Sequence, residues 1–118
     1  MTMAKKAQPK NPFKGYWRIK SMSLWDQDFV DEEVEGHFEF GSNNMGSFQF
    51  GYVLGQIDYC TGVRDTNPCV EFTWEDSDEM TPVEGRGWAT LECDEITGMF
   101  FFHQGDESEF KAKKAKRK

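Results

Sequence analysis

The sequence predicts an all-β fold: an antiparallel up-and-down meander of about eight short strands closing into a small β-barrel. Three observations carry this. Apolar and polar residues alternate through most of the chain, as in Val34, Phe38 and Phe40 against Glu35, His37 and Glu39. The composition is rich in rings, with 11 Phe, 4 Trp and 3 Tyr, which suit strands better than helices. Turn signals recur roughly every ten residues with no helix-period segment between them, and a meander with one apolar face removes its exposed edges by closing.

The first strand is predicted over residues 15–25, with Trp17 and Ile19 on one face and Arg18 and Lys20 on the other. Residues 26–33 form the one plausible helical turn, placed as a lid on one end with Phe29 inward. A second strand covers residues 34–40, and Gly41-Ser42-Asn43-Asn44 turns the chain because Gly and Asn tolerate positive φ. The third strand is read with Phe48, Phe50, Tyr52 and Leu54 on one face, and a fourth from Gly55 carries Ile57 and Tyr59. Residues 61–67 read as a polar loop closed by Pro68, followed by a strand with Val70, Phe72 and Trp74 inward. An acidic connector spans residues 75–79, and Pro82 marks the next start. The sixth strand, residues 83–93, sets Val83, Gly85, Gly87, Ala89 and Leu91 against Arg86, Trp88, Thr90 and Glu92. Asp94-Glu95 turns into a seventh strand over 96–104, and a short eighth follows from Glu107 to about Lys111.

Charge divides the chain into three. A basic N-terminal tail (1–14) and a Lys-rich C-terminal tail (111–118), both expected to be disordered, hold ten of the 14 Lys and Arg residues. The single domain between them, residues 15–110, has all 21 acidic residues and only four basic ones, a net −17. A body so charged repels phosphate backbones, so nucleic-acid binding is expected only through the Lys-rich tail. No run of 18 apolar residues occurs and no secretory signal opens the chain, so no membrane association is expected. Three cysteines, an odd number, fit a reducing cytoplasm better than a disulfide scaffold.

The Gly15-Tyr16-Trp17 triplet resembles the Gly-x-Trp of lipocalin and related calycin barrels. That resemblance implies a barrel whose tryptophan plugs the closed end and whose interior takes a small ligand. A longer pattern is similar to small bacterial proteins with no assigned activity. It runs from Trp17-Arg18-Ile19 through Trp25-Asp26-Gln27-Asp28, Phe48-Gln49-Phe50-Gly51 and Gly85-Arg86-Gly87-Trp88-Ala89 to His103-x-Gly105-Asp106-x-Ser108-x-Phe110. It implies the boundaries near 15 and 110 and no chemistry.

Two sets of residues are candidates for function. Gly85 and Gly87 share a face with Phe50, Trp74 and Phe100, and with Trp17 these six would line an interior site for a small apolar ligand. The same glycines would equally make room for rings in a solid core. On the surface, Asp26, Asp28, Arg86, Trp88, His103 and Asp106 are candidate contacts for a partner. Arg86 and Trp88 are expected beside the acidic row of Glu71 and Glu75 as a salt bridge with a stacked indole. His103, Asp106 and Ser108 lie within six residues on one hairpin, too close for a triad drawn from separate elements. The acidic turn at 26–33 lacks the spacing of a calcium loop, and the cysteines and histidines lack zinc spacing, so no metal, cofactor or catalytic residue is expected. The leading expectation is a non-enzymatic binding module whose acidic surface takes a basic protein partner. A small apolar ligand inside the barrel is one alternative. A small enzyme with Asp26, Asp28, Arg86 and His103 at the barrel rim is the other.

Overall fold

The computed structural model describes residues 11–76 and 83–116. Eight antiparallel strands follow one another around a closed barrel: β1 (Gly15–Met22), β2 (His37–Phe40), β3 (Met45–Phe50), β4 (Val53–Arg64), β5 (Asn67–Asp76), β6 (Glu84–Glu92), β7 (Glu95–Phe102) and β8 (Glu107–Ala115). A single helical turn, α1 (Gln27–Val30), interrupts the β1–β2 connection. Each strand pairs with its neighbour in sequence, and β8 returns to β1, where Tyr16 faces Ala115 and Ile19 faces Ala112. The closed, all-β architecture is the one the alternation predicts.

Alternation also fills the interior. Trp17, Ile19, Phe38, Phe48, Phe50, Ile57, Phe72, Trp74, Phe100 and Phe110 all point inward and are buried. Phe100 sits at the centre, stacked on Trp74 at 5.0 Å and edge-on to Phe48 at 5.1 Å and Phe50 at 5.3 Å. Offset and edge-to-face pairs of this kind add to the area they bury.

The ends of the barrel differ. At one end α1 forms a lid: Asp26 caps it by accepting the Phe29 N–H at 3.0 Å, Val30 is buried, and the Phe29 ring lies directly over Gly51. At the other end the plug is built from residues that precede the first strand. Phe13 is buried, and its carbonyl accepts the Trp17 Nε1–H at 2.8 Å. Asn11 adds a hydrogen bond from its amide to the Tyr59 hydroxyl at 2.9 Å. Residues 11–14, read from sequence as tail, therefore belong to the fold.

Four further differences have physical reasons. β8 continues through Lys111, Lys113 and Lys114 to Ala115, where a disordered tail is expected. Phe110 and Ala112 supply the inward face, and pairing to both β7 and β1 holds the lysine-bearing backbone. The third strand ends at Phe50, because Gly51 (φ 58°) and Tyr52 turn the chain and restart the alternation. Tyr52 and Leu54, expected in the core, are thus 62% and 43% exposed. The loop expected at 61–67 is a continuation of β4 and β5, which meet at a two-residue turn with Asp65 at φ 51° and Thr66 at φ 70°. β2 starts only at His37, since Val34 lies exposed in the preceding loop and Gly36 packs on Val30. Of the acidic connector, Glu75 and Asp76 complete β5, and residues 77–82, with Pro82, lie outside the described residues.

Candidate functional site

The six residues expected to line an interior site are not all brought together. Phe50, Trp74, Phe100, Gly85 and Gly87 come together toward the α1 end, whereas Trp17 belongs to the opposite plug with Phe13. The glycines seat rings. A Cβ on Gly85 would lie 2.8 Å from the Trp74 indole and would clash with the Phe101 carbonyl. A Cβ on Gly87 would lie 2.8 Å from the Met99 carbonyl and run into the Phe72 ring. The Trp74 Nε1–H is already satisfied by the Phe101 carbonyl at 3.1 Å. Of the two readings of these glycines, room for rings is the one the packing fits.

The surface candidates divide by location. Asp26, Asp28, His103 and Asp106 all lie at the α1 end, the aspartates on or beside α1 and the other two in the β7–β8 turn. Arg86 and Trp88 lie on the outer face of β6, opposite Thr73 and Glu71 of β5 as the alternation requires. Their stacking is not the expected one. The Arg86 guanidinium lies 4.4 Å above the Phe101 ring, and Trp88 is covered by Arg64 at 4.1 Å. Among the described residues Arg86 makes no ion pair with the acidic row. Arg64 was not legible as a partner because it sits in the stretch read as a loop. The signal that could have found it is the Thr61/Val63 alternation continuing that of β4.

These side chains border two shallow outer grooves of about 520 and 560 Å³ that meet at Asp58, Thr73 and Arg86. His103 and Glu84 close one end, and Arg64, Cys60 and Trp88 the other. Cys69 lines a smaller adjoining hollow with Cys60, Arg64 and Glu71 and is 4% exposed. Burial pushes its thiol above the ordinary range, partly offset by the Arg64 charge.

No triad is assembled at the β7–β8 turn. Ser108 is buried on β8, where its hydroxyl accepts the Leu24 N–H at 3.1 Å and donates to the Glu109 carbonyl at 2.9 Å. Among the described residues no group of three or more His, Cys, Asp and Glu side chains could hold a metal ion, and no helix is long and apolar enough to cross a membrane.

The α1 end has the more unusual surface. No Lys or Arg occurs from Ser21 to Val63, while six carboxylates fall between Asp26 and Glu35. The nearest cation, Arg18, is engaged by Asp31 at 3.5 Å and Glu35 at 3.2 Å. Among these acids stand exposed apolar side chains, Leu24, Val34, Tyr52 and Leu54. The charge of Glu32, with smaller contributions from burial and Glu33, raises the Tyr52 phenol above its usual value. The residues define a closed eight-stranded barrel with an acidic, partly apolar end. No protein-family model, curated protein or solved structure matches the chain.

Proposed function

We propose that the barrel is a non-enzymatic binding module that holds a basic protein segment at its α1 end. One observation carries this reading: exposed Leu24, Val34, Tyr52 and Leu54 are interspersed with the carboxylates from Asp26 to Glu35. Charge alone steers association without fixing a complex, and large apolar side chains set among the charges supply area that water leaves on contact. Asp106 and Glu107 extend the same sign of charge across the β7–β8 turn. A lipocalin-like ligand inside the barrel has less support, because rings occupy the space beside Gly85 and Gly87.

The test uses a Lys-rich peptide carrying two leucines, titrated calorimetrically into the full chain. Binding should weaken at least tenfold in Glu32→Lys/Glu33→Lys and, separately, more than tenfold in Tyr52→Ser/Leu54→Ser, the loss of one buried apolar side chain being worth about 1.5–3 kcal/mol. If only the charge reversal matters, the surface attracts cations without recognising a partner, and the proposal fails.

A further inference from the structure

We propose that the seam where β1 and β8 close the barrel binds a single-stranded nucleic acid through its phosphates. The continuation of β8 to Ala115 creates this surface, since it turns Lys111 and Lys113 of an expected tail into outward positions of a sheet, while Lys114 lies opposite Trp17 with its ammonium over that ring. Of the nine Lys and Arg residues described, seven fall at 14–20 or 111–116, and Arg64 and Arg86 are the other two. Register then gathers them. Arg18 lies directly opposite Lys113, a like-charge neighbour pair of the kind sheets avoid. Lys111 lies between Ser21 of β1 and Thr97 of β7, with no carboxylate directly opposite, and Lys20 stands exposed in the irregular stretch between Ile19 and Ser21.

The neighbouring acids limit what can lie there. Arg18 is spent on Asp31 and Glu35, and Lys113 has Glu95 on its other side. The basic strip is therefore about two strands, roughly 10 Å, wide. A flexible single strand can follow it, whereas a duplex would lay phosphates over the flanking carboxylates. Tyr16, stacked on His37 at 4.9 Å, borders the strip and offers rings for bases. The acidic α1 end reaches the strip at Arg18, and Glu109 lies two residues from Lys111 on the same face, so the attraction rests on Lys20, Lys111 and Lys113 together. Lys113 stands six residues from Glu107 along β8, roughly 20 Å, about twice the screening length at 0.1 M salt.

Labelled oligo(dT) followed by fluorescence anisotropy tests this on the full chain. If Lys14, Lys20, Lys111, Lys113 and Lys116 each neutralise a phosphate, log K should fall with log salt at a slope of about −3.5. Lys20→Gln/Lys111→Gln/Lys113→Gln should weaken binding and reduce that slope by about 2. Arg64→Gln/Arg86→Gln, on another face, should bind as the parent does. Absence of saturable binding overturns the proposal. So does an unchanged slope in the triple variant, which would assign binding to the chain ends. Polyglutamate competing as well as oligo(dT) also overturns it, because the strip would then be a site for any polyanion.

Discussion

Gly87 and Cys69 illustrate how the space around one residue decides its chemistry. Gly87 lies under the Phe72 ring with the Met99 carbonyl 2.8 Å from where a Cβ would stand. Gly87→Leu is therefore expected to destabilise the barrel by about 1–3 kcal/mol or more, as overpacking does, measured by urea unfolding. Unchanged stability would mean open space beside Phe72 and would revive an interior ligand. Cys69 makes the opposite use of crowding. Its outward position would leave it accessible on a flat sheet, yet it is buried beside Arg64, and burial favours the neutral thiol. Alkylation by iodoacetamide needs the thiolate, so exposed Cys60 and Cys93 should react first and Cys69 only at higher pH. The sign for stability follows from the raised value. The folded chain holds the proton more tightly than the unfolded one, so this contribution is intact below the ordinary thiol range of about 8.5 and declines as pH rises through the folded value.

At the scale of the element, β8 is the strand with most at stake. It brings two strongly apolar inward residues, Phe110 and Ala112, and its remaining stability comes from pairing on both sides. Deleting residues 111–118 would leave β1 and β7 with unpaired edges at that end. Thermal unfolding by circular dichroism should lose its cooperative transition, or shift it down by more than 10 °C. A tail without structure would leave the transition unchanged on deletion. The β4–β5 hairpin and α1 show the same dependence on neighbours. Cys69 and Val70 are buried near the hairpin tip because β6 runs alongside, and the four-residue α1 persists because Asp26 caps it and Val30 is buried.

At the scale of the whole molecule, closure separates the charges. The chain enters and leaves the barrel at one end, so the lysines near its two termini become neighbours across β1 and β8. The carboxylates from Asp26 to Glu35 lie in the first connection at the other end. A net charge of −7 thus describes neither surface. The acidic end is proposed to take a basic partner and the seam a single-stranded nucleic acid, and the two surfaces meet at Arg18, which Asp31 and Glu35 engage.

Strand count, strand order of the meander and most inward-facing residues were legible in the sequence, because alternation is a local signal with a period of two. Phe48, Phe72 and Trp74 were placed correctly on that basis alone. The same signal could not separate Phe50 from Tyr52. The turn at Gly51 inverts the faces, and nothing in the alternation marks a reversal without an offset. Asp26, Asp28, His103 and Asp106 were recognisable as polar positions, but their common location at one end depends on which loops the closed barrel gathers there. Whether Gly85 and Gly87 line a void or seat rings, whether lysines after Phe110 form a tail or a strand, and which cations meet at the seam were decided by the tertiary structure. Each depends on the strand lying opposite, and pairing between residues a hundred positions apart leaves no local mark in the chain.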